Sequence, residues 1–424
     1  MTVELSVLPT HWGKSRVDRV ASVNARIGWK ALTAAEYQPQ GFTFLSTPNI
    51  KGREIDFENV NYITEFRYQE SPELKLREGD VLLVKDGNTL GIVNLVKHLP
   101  RPATVNGSIA VIRPTGIDGA FLRYVLESRV TQAAINMLKG GMGVPHLFQW
   151  DINRLPVPVP PLEEQRRIAD FLDAETARVD RMADIRKQQI DLLGSSEASV
   201  ISDSLESTGG TPTRVKHLAT KITSGPRGWG DLVTDQGSLF LRITNIPRRG
   251  ITLDLEDSLY VTAPSGPERE RSRTRSGDVL VSITADIGSV AIVDERAADA
   301  NISQHVAMVR PDQGSCNPTW LAYAIKSARS NQFLRMNSYG GTKVGLGLGD
   351  VANLSIDIPD LMTQEQSASR ITQILSQRED LRHRMIIQRA LLAERRQALI
   401  TAAVTGQFDV CTASGRNVTD EVSA

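Results

Sequence analysis

The chain has 424 residues, 40% of them hydrophobic and 23% charged, a globular composition too long for one ordinary domain and suggestive of two to four structural units. Its 49 basic and 49 acidic residues cancel, which argues against a protein held on DNA by electrostatics alone and leaves room for local basic patches. No apolar run approaches the ~18 residues of a membrane span, and the opening MTVELSVLPTHWGK lacks the pattern of a signal peptide. Cys316 and Cys411 have no metal-ligand spacing and suit free thiols in a reducing compartment, so a cytoplasmic location is expected.

Residues 1–161 open with short β-branched or aromatic segments bounded by turn residues: GFTFLSTPNI, GDVLLVKDG and SIAVIRP. A helical stretch, AFLRYVLESRVTQAAINMLKG, follows and ends near the double glycine Gly140-Gly141. This reads as an α+β globule. Pro156, Pro158, Pro160 and Pro161 then enforce an extended run. From 162 to 205 the only glycine is Gly194, and proline is absent. Ile168, Leu172, Val179, Met182 and Leu193 form a near-heptad stripe, which predicts one long helix.

Residues 206–360 repeat the first globule, with SLFLRITNI, GDVLVSIT and HVAMVRP as strands and PTWLAYAIKSARSNQFLRMNS as helix. A second long helix is predicted over 361–409, its seam carried by Ile371, Ile374, Leu381, Met385, Leu392 and Leu399, with a flexible tail over 410–424. Each helix of this size is about 65 Å long.

The second half restates the first at an offset of about 200 residues. Arg16-Val17 recurs as Arg214-Val215, Gly28-Trp29 as Gly228-Trp229, and Asn49-Ile50 as Asn245-Ile246. Gly79-Asp-Val-Leu recurs letter for letter from Gly277, Arg113-Pro114 as Arg310-Pro311, and Gly140-Gly141 as Gly340-Gly341. Glu164-Gln165 matches Glu365-Gln366, with two extra residues before Ile371, so a small local irregularity is expected there.

The order is therefore globule, long helix, globule, long helix. Neither helix has an apolar face wide enough for its own domain, and two imperfect seams most simply pair with each other. An antiparallel coiled coil would relate two similar heads by a pseudo-two-fold axis, a symmetry that DNA shares.

Pro160-Pro-Leu-Glu-Glu-Gln-Arg-Arg-Ile-Ala-Asp-Phe-Leu-Asp173 and Glu175-Thr-Ala-Arg-Val-Asp180 closely resemble the central conserved helix of the specificity subunits of type I restriction–modification systems. Arg395-Arg-Gln-Ala-Leu-Ile-Thr-Ala-Ala-Val-Thr-Gly-Gln-Phe-Asp409 resembles their C-terminal helix. The resemblance covers residues 1 to about 409. It implies two mixed α/β target recognition domains, each reading one half of a bipartite, gapped DNA site, with the helices acting as a ruler for the gap. It implies a non-catalytic chain working with two methyltransferase subunits, which bring S-adenosylmethionine, and two motor–nuclease subunits, which use ATP and Mg; no cofactor is expected on this chain.

Specific reading needs side chains at base edges. In the first globule the candidates are Lys85, Asn88, Asn106, Ser108, Lys139, Gly140, Gly141 and His146, on loops where glycine lets backbone approach a groove, although a Gly-Gly pair is also a plain helix stop. In the second they are Arg227, Arg248, Arg249, Thr284, Asp286, His305 and Lys343. Arg271, Arg273 and Arg275 join them, with Arg269, as a row facing phosphates if that stretch is extended; a charged edge strand is the other reading. Trp29 and Trp229 read as core or subunit-interface residues.

Catalytic readings are weaker. Asn317-Pro-Thr-Trp320 lacks the second proline of an amino-methyltransferase motif, and Gly345-Leu-Gly-Leu-Gly349 has no strand–turn–helix setting. No ATP-binding loop or zinc spacing is present. A helical scaffold that bridges other proteins without reading DNA is the alternative function.

Overall fold

Gly79 and Gly277 adopt φ of +88° and +85°, a left-handed turn that a Cβ disfavours. Each leads into a fully buried strand, Val81–Val84 or Val279–Ser282. Side chains alternate across such a strand. Val81 and Leu83 enter one apolar cluster, Leu82 and Val84 another. Val279 and Val281 likewise part from Leu280. A sheet buried on both faces explains why these strands read as unbroken apolar runs.

The computed structural model describes residues 8–25, 33–140, 144–195, 197–338 and 345–410. The chain forms two compact units, Met1–Ile185 with Gln388–Ala424, and Arg186–Ile387. Each long helix therefore begins in one unit and ends in the other.

In unit 1 the central sheet is antiparallel, in the order Ala21–Asn24, Ile109–Pro114, Val81–Val84, Val93–Leu95. A second sheet joins Asn61–Ile63, Phe42–Leu45 and Ala103–Val105, the last pairing parallel. The proline run forms a strand, Pro156–Val159, paired among the described residues only with Gly13–Arg16, where the missing N–H groups cost no inner ladder. Unit 2 repeats all three. Its central sheet runs Ala219–Ser224, Val306–Pro311, Val279–Ser282, Val290–Ile292. Its second sheet adds Val233–Thr234 to the repeated set, and its ribbon pairs Thr211–Arg214 with Ser355–Ile358.

The helices Gly119–Glu127 and Pro318–Lys326 cover one face of each central sheet. Against them lie the long helices, Leu162–Ser195, followed by Glu197–Glu206, and Leu361–Val404. In unit 1, Ile168 and Leu172 share a core with Leu399, Ile400 and Ala403. The two segments run antiparallel: Phe171 meets Phe408 at 5.7 Å between ring centres, and Asp180 meets Arg396 at 3.1 Å. In unit 2, Ile201 shares a core with Ala368 and Ile371.

The predicted seam divides. Ile168, Leu172, Val179, Ile371 and Leu399 are buried, largely on the globules. Leu193, Ile374, Met385 and Leu392 are half-buried. Met182 and Leu381 are exposed, at 37% and 45%, so these two positions do not form the closed seam expected of them. Nor does the second helix carry the expected irregularity, since Leu361–Val404 is unbroken. The counterpart of Gln165 is Gln364, not Gln366. Gln165 accepts from Asp118 N at 2.8 Å and donates to Pro160 O at 2.8 Å, and Gln364 does the same with Asn317 N at 2.8 Å and Pro359 O at 2.9 Å.

Candidate nucleic-acid interface

Where the central strands end, three loops of unit 1 are tied together by backbone hydrogen bonds. Lys85 N donates to Ser108 O at 2.8 Å, Leu147 N donates to Lys85 O at 2.8 Å, and Gly87 N donates to Pro145 O at 2.9 Å. His146 bridges to both Asp86 and Gly140. The sequence candidates Lys85, Asn88, Asn106, Ser108, Gly140 and His146 thus fall on one platform. Gly140 is part of this bridge as well as following the end of the helix Arg129–Leu138. Lys139, at that helix end, is exposed and donates to Asn136 Oδ1 at 3.2 Å. Gly141 lies outside the described residues.

At the centre of the platform sits Asp86, a residue that the sequence candidates do not include. It is paired with Lys85 Nζ at 2.9 Å and with the His146 ring. Lys85 is nearly buried, so its charge is tied to Asp86 and is not free to search for phosphate. Asn88 is exposed; Asn106 is turned inward enough to accept from Ser108 N at 3.2 Å.

Unit 2 builds the same frame. Ile283 N donates to His305 O at 3.1 Å, Leu346 N donates to Ile283 O at 2.8 Å, and Thr284 bridges to Gly345. Thr284 and His305 therefore stand where Asp86 and Ser108 stand in unit 1, and Gly345 stands where His146 does. The frame is duplicated and its side chains are not. The loop continues to Asp286, which holds Arg248 at 2.9 Å. Arg248, Arg249, Lys326 and Arg335 line a cavity of about 720 Å³ with Glu197 and Asp286. Arg227 is exposed, two residues after Gly225, whose N–H donates to Ser303 O at 3.2 Å. Lys343 lies outside the described residues.

The row of arginines is a correction. Pro267–Ser272 is a short helix, opened by Pro267 behind Gly266, so the four side chains do not share an extended face. Arg271 donates to Thr223 Oγ1 at 2.8 Å and Ser224 O at 2.6 Å, and Arg273 pairs with Asp299 at 2.9 Å. Arg275 is exposed. Burial lowers the pKa of the nearby Lys221 ammonium, and Arg310, Arg275 and Arg271 lower it further against the opposing charge of Asp278. Trp229 packs in a core with Phe240 and Val261, as expected; Trp29 lies outside the described residues.

Sequence reading also missed Phe148 and Trp150, both well exposed beside the platform of unit 1. A lone exposed ring leaves no periodic signal. No helix among the described residues is long and apolar enough to cross a membrane.

A family model described as type I restriction modification DNA specificity domain matches residues 9–192 and 268–388. The EcoBI specificity subunit of Escherichia coli, a type I restriction enzyme subunit, is 22% identical over 359 residues, covering 78% of this chain and 73% of that one. The EcoKI specificity subunit of Escherichia coli K12 is 20% identical over 431 residues, covering 95% and 90%. Among solved structures, a chain of a type I R-M system superposes with a TM-score of 0.74 at 20% identity, covering 95% of this chain and all (100%) of that one. The HsdS subunit of Thermoanaerobacter tengcongensis superposes with a TM-score of 0.60 at 19% identity, covering 96% and 100%. The chain belongs to the type I restriction modification DNA specificity family and is a DNA sequence-recognition subunit.

Proposed function

We propose that each unit reads one half of a bipartite, gapped DNA target through its three-loop platform. The observation that carries this reading is the pair of frames with matching backbone hydrogen bonds and different side chains: Asp86, Ser108 and His146 against Thr284, His305 and Gly345. Equal frames approach DNA in the same way, and unequal side chains at base edges select different bases. The long helices, whose ends belong to different units, set the spacing and dock two methyltransferase subunits. Methyl transfer with S-adenosylmethionine, and ATP- and Mg-dependent restriction by two motor–nuclease subunits, are the work of those partners in the cytoplasm.

Methylome sequencing of a host carrying the chain and its neighbouring methyltransferase subunit, against a host lacking only this chain, tests the reading. A two-part adenine-methylation motif that disappears with the chain is the expected result. Unchanged methylation would move the scaffold reading to the front.

A further inference from the structure

Phe148 and Trp150 are 48% and 53% exposed. Their rings lie 6.3 Å apart and within 20° of parallel, and the His146 ring meets Phe148 edge-on at 4.5 Å. The guanidinium of Arg154, itself exposed, lies over the Trp150 ring at 5.0 Å. The two aromatics flank the start of the short helix Gln149–Asn153.

Unit 2 has the same helix, Leu348–Asn353, on the same frame. Phe148 N donates to Asp151 Oδ2 at 3.2 Å, and Gly347 N donates to Asp350 Oδ2 at 2.8 Å. By this register Phe148 corresponds to Gly347 and Trp150 to Gly349. A Cβ placed on Gly349 meets no atom within 4 Å, so the frame neither requires nor forbids a side chain there. A Cβ placed on Gly347 meets Asp350 Oδ2 at 3.2 Å and Gly349 N at 3.9 Å, so unit 2 forms the same frame without either ring. Phe148 and Trp150 put two large apolar rings in water, directly beyond the His146 end of the platform, at positions where unit 2 has glycine.

We infer that Phe148 and Trp150 form an aromatic wedge that opens a base step in the half-site read by unit 1, with no counterpart in the half-site read by unit 2. Flat rings capped by a guanidinium offer a stacking surface that suits bases and adjoining phosphates together. Apolar side chains inserted at a base step unstack it and bend the duplex. The inference rests on the reading of unit 1 as one of two half-site readers. It adds that the two halves are handled unequally: one by opened bases, the other by groove contacts alone.

The test uses the full chain assembled with its methyltransferase subunits, on duplexes of the target found by methylome sequencing. 2-Aminopurine is placed at positions other than the methylated adenines, in one half-site or the other. The wild-type complex should raise its fluorescence in the unit 1 half only. Phe148→Gly with Trp150→Gly, which copies the residues of unit 2, should abolish that rise and weaken binding about ten- to a hundredfold. Trp150→Gly alone should lie between. Assembly of the variant complex, followed by gel filtration, should be unchanged. Loss of assembly would make the pair a protein-docking site, and intact binding with an intact fluorescence rise would leave it without a role in DNA opening; either overturns the wedge. A wild-type chain that directs no two-part methylation would instead overturn the underlying half-site reading, and that result is seen before any variant is made.

Discussion

Arg113 clasps the buried carboxylate of Asp80, with Nε and Nη2 each 2.8 Å from an oxygen. Arg310 clasps Asp278 in the same way, at 2.7 and 2.6 Å. Each aspartate also caps its own turn, accepting from Arg77 N or Arg275 N at 2.8 Å. The pair locks the glycine turn to the neighbouring strand of the central sheet. Asp80→Asn leaves a half-buried guanidinium without its charge partner and should destabilise unit 1 by about 3 kcal/mol. Asp278→Asn should do the same to unit 2. Urea unfolding monitored by circular dichroism measures both. Arg113→Lys should cost less than Asp80→Asn, yet still be measurable, because an ammonium cannot make the forked contact.

Ala285 holds φ of +58° on the platform of unit 2, where unit 1 has Gly87 at +83°. A Cβ in the left-handed region costs roughly 1–2 kcal/mol, and glycine removes that cost while loosening the unfolded chain. Ala285→Gly should therefore stabilise the protein by up to about 1 kcal/mol, read as a raised melting temperature. Strain of this kind concentrates at functional loops. The same variant should relax base selectivity in the half-site of unit 2, which methylome sequencing would report as added tolerance there.

Cys316 is buried in unit 2, and burial, helped by the charge of Asp312, pushes its thiol up to about 12. An unfolded thiol ionises near 9. The folded state thus holds its proton where the unfolded state has lost it. The resulting stability is complete below about pH 9 and is lost as pH rises toward about 12. Tyr124 in unit 1, raised from 10 to about 12 mainly by burial, acts in the same direction from a higher starting pH. Melting curves between pH 8 and 10.5 should show a falling midpoint, and Cys316→Ala should flatten that fall. A steeper fall in the variant would contradict the linkage.

The duplicated frame was legible because backbone demands repeat in sequence. Gly79 and Gly277, Asp80 and Asp278, and Arg113 and Arg310 all stand in the repeated pairs. What the letters did not say is that the aspartate and arginine of each half bind one another. A Glu-Gln dipeptide occurs in both halves and suggests Gln366 as the match of Gln165, whereas the glutamine that ties helix to globule is Gln364. The alternating arginines suit an extended row, but Gly266-Pro267 followed by Glu268 starts a helix. The centring of the platform on Asp86, and the exposed pair Phe148 and Trp150, had no pattern to betray them. Position around three loops is set by tertiary pairing, which leaves no local period.

The long helices are matched to their globules by charge of opposite order. In unit 1 the globule offers Glu127 and the helix offers Arg396, which pairs with it at 2.6 Å and with Asp180 at 3.1 Å. In unit 2 the globule offers Lys326 and the helix offers Glu197, at 3.8 Å. The docking is otherwise the same, since Thr401 Oγ1 accepts from Arg129 N at 3.0 Å and Ser202 Oγ accepts from Ala328 N at 3.1 Å. A helix end placed on the other globule would set Arg396 against Lys326 or Glu197 against Glu127. Half-buried like charges are costly, so this ordering selects the right partner as well as stabilising it. Glu127→Lys should destabilise unit 1 by at least about 3 kcal/mol, because Arg396 then faces a cation. Adding Arg396→Glu should recover part of the loss, and the amount by which the double variant's loss falls short of the sum of the two single losses is the coupling energy of the pair. The recovery should stay incomplete, because the new glutamate also faces Asp180. Full additivity of the two single losses would show that the pair carries no selectivity.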